Sequence, residues 1–160
     1  MLALIRALRE HKAAERPVRV IFIDAPAAPK RDRVMSAQIQ TALATSPDDV
    51  FLVLTGNIHN RLTIGTRWDA AYEPMGYLLR QLLPEKTLYA LNVAHEGGEA
   101  WVCFGSSTSD CGVQQISGKA SDGQGVVLVD APEGQPYSGH YYVGRLSASP
   151  PAIQPVEDNE

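Results

Sequence analysis

Val18-Arg19-Val20-Ile21-Phe22-Ile23-Asp24 is a short apolar run that ends in an acid, the pattern of a strand buried in a parallel sheet. Working outward, residues 25–30 form a loop with Pro26 and Pro29. From Arg31 to about Ala44, the residues Met35, Ile39, Ala42 and Leu43 fall at i, i+4, i+7 and i+8. That spacing draws one apolar stripe down a helix. Ser46-Pro47-Asp48-Asp49 is a turn, and Val50-Phe51-Leu52-Val53-Leu54-Thr55 reads as a second buried strand. After a longer loop, Pro74 can serve as the first helical residue of a helix over 75–83, stopped by Pro84. Residues 87 to about 94 read as a third strand. Strand, helix, strand, helix and strand in this order predict an α/β fold: a mostly parallel sheet flanked by helices, with right-handed crossovers.

The two flanks read differently. Residues 1–12 place Leu4, Ile5 and Leu8 on one helical face, with no N-cap residue and with Arg6 and Arg9 interrupting the apolar stretch. This is a basic amphipathic helix and not a secretory signal. From Gly97 onward the chain is rich in Gly and Ser, with apolar runs at 101–104, 126–129 and 140–146. These predict short strands or hairpins, a loop-rich β extension in the C-terminal half. Residues 1–149 are expected to form a single α/β domain. Residues 150–160, with Pro150, Pro151, Pro155, Glu157, Asp158 and Glu160, are expected to be a disordered, solvated acidic tail.

Composition narrows the function classes. The chain has 160 residues, 44% of them apolar and 20% charged, and a net charge of −4. This suits one soluble domain with a real core and is too apolar for a disordered chain. No stretch approaches the roughly 20 apolar residues of a membrane helix. The acidic balance argues against a nucleic-acid partner, which would need a basic face. The charge is uneven: residues 1–33 carry eight Lys and Arg against four Asp and Glu, while residues 34–160 carry six against fourteen.

Three polar residues sit at matching places on the three predicted strands. Asp24 closes the first, His59 follows the second and His95 closes the third. The carboxyl ends of parallel strands form the crevice where ligands bind. A carboxylate and two imidazoles there suit a divalent metal, or a base and its orienter. The bland alternative is that Asp24 caps the next loop and His95 bonds to backbone. In Gly56-Asn57-Ile58-His59, Gly56 permits a sharp turn and Asn57 tolerates a left-handed conformation, which together would aim His59 into the crevice. Asp32 has a structural reading through the helix dipole, whereas Arg31 suits an anion or a buried carboxylate. Arg61, Arg67, Trp68, Asp69 and Tyr72 crowd the loop before the second helix. Loops of this length are often binding loops, with Arg67 and Trp68 as substrate contacts; a surface ion pair and a core aromatic are the alternative. Cys103 and Cys111 are either a local disulfide, implying export, or two thiols. No Walker loop, GxGxxG, GxSxG or HExxH is present.

Arg31-Asp32-Arg33-Val34-Met35 on a helix, followed by a strand entering Gly56-Asn57-Ile58-His59, resembles the superfamily of erythromycin esterases, ChaN-like haem-binding lipoproteins and Tiki-type metalloproteases. Tyr72-Glu73-Pro74-Met75-Gly76-Tyr77 is similar to the helix that follows the Gly-Asn-x-His loop there, and residues 4–11 to the helix before the Arg-Asp pair. The resemblance spans about residues 2–105, the C-terminal portion of the family pattern. The family's earlier Gly-Glu-x-His-like segment has no match here, so the expectation is a domain lacking an N-terminal segment.

The resemblance implies a metal-assisted hydrolase-like site acting on a small-molecule or peptide substrate. His59, Arg31 and Asp32 would be catalytic, and His59, Asp24 and His95 would hold a divalent metal. Asn57, Arg67, Trp68 and Tyr72 would contact the ligand. Export to the periplasm or as a lipoprotein is implied for the full-length protein, although this chain carries no signal. The alternatives are a haem-binding protein without turnover, using His59, Tyr72 and Tyr77, and an inactive homo-oligomer.

Overall fold

The computed structural model describes residues 2–84, 87–105, 107, 110–120, 125–129 and 134–149. The expected tail at 150–160 lies outside the described residues. The chain divides into two compact units, Met1–Pro47 and Asp48–Glu160.

The first unit holds helices α1 (Leu2–Ala13) and α2 (Arg31–Thr45). No acid stands in the first turn of α1, while His11 and Lys12 occupy its last turn, where cations suit the helix dipole. Its end is a Schellman motif. Arg16 N–H donates to the His11 carbonyl at 3.1 Å and Glu15 N–H to the Lys12 carbonyl at 3.1 Å, with Glu15 left-handed at φ 57°. Pro17 then bars further helix. α2 follows the left-handed Lys30 and buries Met35, Ile39 and Ala42 along the expected stripe, together with Asp32 and Ser36. Its C-terminus is closed by Ser46 N–H, which donates to the Ala42 and Leu43 carbonyls.

The predicted strand at 18–24 has no regular secondary structure and enters no ladder among the described residues. With its amide nitrogen turned inward, Gln38 of α2 donates to the Phe22 and Ile23 carbonyls at 3.3 and 3.0 Å. A side chain thus occupies acceptors that a neighbouring strand would use. Phe22 is 90% exposed.

In the second unit the predicted strand at 50–55 likewise has no regular secondary structure and no ladder among the described residues, and Val50 and Leu52 are 98% and 94% exposed. Helix α3 (Met75–Arg80) follows Pro74, which caps it in an extended conformation. The helix is shorter than the sequence suggests: past Arg80 the chain tightens, with Leu82 N–H closing a three-residue turn on the Leu79 carbonyl. Among the described residues six strands follow: β1 (Leu91–Ala94), β2 (Gly97–Cys103), β3 (Cys111–Ser117), β4 (Gly125–Leu128), β5 (Gly139–Tyr142) and β6 (Arg145–Leu146).

They form two three-stranded sheets, ordered β1-β5-β4 and β3-β2-β6. β1 runs parallel to β5 (Leu91↔Gly139 through Ala94↔Tyr142), and β4 antiparallel to β5. β2 pairs antiparallel with β3 and parallel with β6. The fold is therefore mixed α/β, and the expected mostly parallel sheet is corrected: both sheets are mixed and lie in the C-terminal half. The apolar runs at 18–24 and 50–55 have the composition of buried strands, but a ladder depends on neighbours that no local pattern supplies. Leu62, Met75, Leu79, Ala90 and Tyr142 are the buried apolar residues of this unit. At Gly98, φ is +125° and a side chain would collide with the Leu146 carbonyl, so glycine is what lets β6 approach β2. Cys103 and Cys111, directly opposed in the β2–β3 register, are joined as a disulfide. No helix among the described residues is long and apolar enough to cross a membrane.

Candidate functional site

Gly56 to His59 form a closed turn in which His59 N–H donates to the Gly56 carbonyl at 3.1 Å. Three further contacts hold this turn. The His59 carbonyl accepts the Gly76 N–H of α3 at 2.8 Å. Asn60 Nδ2 donates to the Leu91 carbonyl of β1 at 3.0 Å. The Tyr137 hydroxyl donates to the Asn57 carbonyl at 2.8 Å. Gly76 is required by this packing, because a Cβ there would stand 2.5 Å from the Asn60 carbonyl oxygen. Backbone from α3 and β1 and the Tyr137 side chain before β5 thus fix where the His59 ring begins.

The ring is engaged as well. The Tyr72 hydroxyl lies 3.3 Å from His59 Nδ1. Tyr72 stands at the base of a self-closed loop: Gly65 N–H donates to the Tyr72 carbonyl at 2.7 Å and Thr66 N–H to the Asp69 carbonyl at 2.7 Å. Asp69 Oδ1 accepts the Ala71 N–H at 2.9 Å, an Asx turn that gives this acid a structural role. Arg67 and Trp68 ride at the exposed tip, Trp68 with 69% of its surface open. The loop therefore brings Tyr72 to His59 and presents Arg67 and Trp68 outward.

His95 lies between β1 and β2. Its Nδ1 accepts the Gly97 N–H at 3.2 Å and its carbonyl accepts the Lys119 N–H at 2.9 Å. An accepting Nδ1 places the proton of the neutral ring on Nε2. These contacts brace the start of the β2–β3 hairpin. Among the described residues, no three His, Cys, Asp or Glu side chains stand together to hold a metal ion.

The remaining candidates belong to the first unit. Arg31 pairs bidentately with Asp24, Nε to Oδ1 at 2.7 Å and Nη2 to Oδ2 at 2.8 Å. The two side chains are 39% and 54% exposed, so water screens the pair. Arg31 thus meets a carboxylate, as its residue type suggests, and that carboxylate is the acid closing the first apolar run. Asp32 is buried in the first turn of α2, where the helix dipole favours an anion.

Asn60, Gly76 and Tyr137 are absent from the sequence-based expectation, although they shape the His59 turn. Asn60 adjoins the Gly-Asn-Ile-His motif and Gly76 is a glycine inside a helix, so both left a trace. Tyr137 joins the turn from 80 residues away and left none.

No family model matches the chain, and no curated protein matches it. Among solved structures, a mutant of the erythromycin esterase EreC in its open conformation is similar, with a TM-score of 0.47 and 18% identity. The match covers 72% of this chain and 36% of that one, so the chain spans about a third of the length of its structural neighbour. The likeness is a distant one of fold.

Proposed function

We propose that this chain carries the acid–base centre of a hydrolase-like site of the erythromycin esterase and ChaN-like kind. His59 is its general base and Tyr72 the positioning residue. The observation that carries the reading is the His59–Tyr72 pair, set on a turn that three separate segments hold. With Nδ1 engaged by the Tyr72 hydroxyl, Nε2 is the nitrogen assigned to proton transfer. Water attacks the carbonyl carbon of an ester or amide while its proton passes to Nε2. That proton then goes to the leaving oxygen or nitrogen. Arg67 and Trp68 are the proposed substrate contacts, with Asn57 at the turn.

A divalent metal would lower the pKa of the attacking water. The described residues do not assemble three ligands for one, and His95 Nδ1 already accepts a backbone N–H. No step is therefore routed through a metal.

The test is turnover of a panel of chromogenic acyl esters and amides by the full chain, with and without added zinc or manganese. His59→Ala is expected to abolish turnover. Tyr72→Phe should lower kcat about tenfold or more with little change in KM, in the range of general-base effects. Unchanged turnover in the His59 variant overturns the assignment. The same pair also offers two candidate iron ligands, which favours haem binding as the second reading. A Soret band on titration with haem, lost on His59→Ala, supports it, and an unchanged spectrum excludes it.

A further inference from the structure

The Cys103–Cys111 bridge joins residues that the β2–β3 ladder already sets opposite each other. The two strands pair continuously from Gly97↔Ser117 to Cys103↔Cys111, so backbone hydrogen bonds hold the register along the whole hairpin. The turn beyond also closes without sulfur. Phe104 N–H donates to the Asp110 carbonyl at 3.2 Å, Asp110 N–H to the Ser107 carbonyl at 3.1 Å, and Ser107 N–H to Asp110 Oδ2 at 3.0 Å. Among the described residues the bridge has little apolar cover: Cys103 is exposed, Phe104 is 78% exposed, and Trp101 and its register partner Val113 are open to solvent. Cys111 Sγ also lies 3.8 Å from the Ser107 carbonyl oxygen, an acceptor within reach of the thiol that reduction would free.

We propose that Cys103–Cys111 is a reversible thiol–disulfide exchange site of the folded protein, with dithiol reductants as its substrate class. Attack falls on Cys103 Sγ, which belongs to the more exposed of the two residues. A thiolate of the dithiol bonds to Cys103 Sγ while the bond to Cys111 Sγ breaks. Cys111 leaves as a thiolate, takes up a proton and donates it to the Ser107 carbonyl. The second sulfur of the dithiol, having lost its proton, then attacks the first and closes a cyclic disulfide. Cys103 is released as a thiolate and protonated. Two electrons and two protons pass to the protein, and the dithiol is oxidised. The ladder below the bridge keeps its register in both states.

The test treats the full chain with dithiothreitol under native conditions and then with iodoacetamide. Both cysteines are expected to be alkylated with the far-UV circular dichroism unchanged and unfolding still cooperative. Glutathione in place of the dithiol is expected to leave a mixed disulfide on Cys103. A Cys103→Ser, Cys111→Ser double variant is expected to fold with the same spectrum. Alkylation that needs denaturant or tracks loss of the spectrum overturns the proposal, as does failure of the double variant to fold. A glutathione adduct confined to Cys111 overturns the assigned direction of attack.

Discussion

Gly76→Ala tests whether α3 and the His59 turn are one packed unit. In an open helix interior this substitution stabilises by about 1 kcal/mol, because alanine loses less backbone freedom. Here the new Cβ would stand 2.5 Å from Asn60 O, 2.7 Å from Asn60 C and 2.8 Å from Arg61 O. All three are backbone atoms and cannot turn aside as a flexible side chain would. Relieving the overlap costs about 1–3 kcal/mol, and the 2.8 Å bond from Gly76 N–H to the His59 carbonyl is stretched at a cost of about 1 kcal/mol. The packing terms outweigh the propensity gain, so the net effect is destabilising by about 1–3 kcal/mol. For a chain of this size that lowers the unfolding midpoint by roughly 3–10 °C. Thermal unfolding followed by circular dichroism measures the shift. Imidazole NMR signals follow whether His59 leaves Tyr72 as its carbonyl is pushed away. A midpoint equal to or above that of the parent chain would refute the packing argument.

Two further predictions concern the first unit. Glu15→Gly relieves a left-handed non-glycine residue at the end of α1 and should stabilise by about 1 kcal/mol in thermal or urea unfolding; a loss of stability would count against the Schellman assignment. A double-mutant cycle of Asp24→Ala and Arg31→Ala should give a coupling of no more than about 1 kcal/mol, shrinking with added salt, because both groups are well solvated. A larger, salt-insensitive coupling would mean that the pair is shielded from water.

Helix α2 was legible because its signal is local. Met35, Ile39 and Ala42 recur at helical spacing, and those side chains are buried. The position of α3 was legible from Pro74, but its end was not, since Leu82 and Leu83 continue an apolar run while the Leu82 amide closes a three-residue turn on Leu79. The strands were less legible. β1, β2, β4, β5 and β6 overlap the predicted runs, whereas β3 holds only Val113 and Ile116 among Gly, Gln and Ser and lacks a strong apolar run. The segments at 18–24 and 50–55 were misread because composition reports the preference for extension, not the presence of a neighbour. At the candidate site a turn at Gly56–His59 was legible, but it closes without the left-handed backbone expected at Asn57, since neither Gly56 nor Asn57 has a positive φ. The Tyr72 contact was half legible, as a residue on the right loop. The Tyr137 contact, made across a large sequence separation, was not.

The solvent-facing apolar segments 18–23 and 50–54 also bear on how the protein behaves at high concentration. Phe22, Val50 and Leu52 are almost fully open, and each segment is short, β-prone and without an internal proline. Backbone donors and acceptors outside a ladder, flanked by such side chains, form a template on which like segments can stack into cross-β assemblies. Arg19 and the Asp48-Asp49 pair place charge at the leading ends of these runs, where gatekeeper residues oppose such stacking. Stacking from these two segments is therefore opposed locally, by Arg19, Asp48 and Asp49 at their leading ends and by Gln38 on the Phe22 and Ile23 carbonyls, and not by net charge alone.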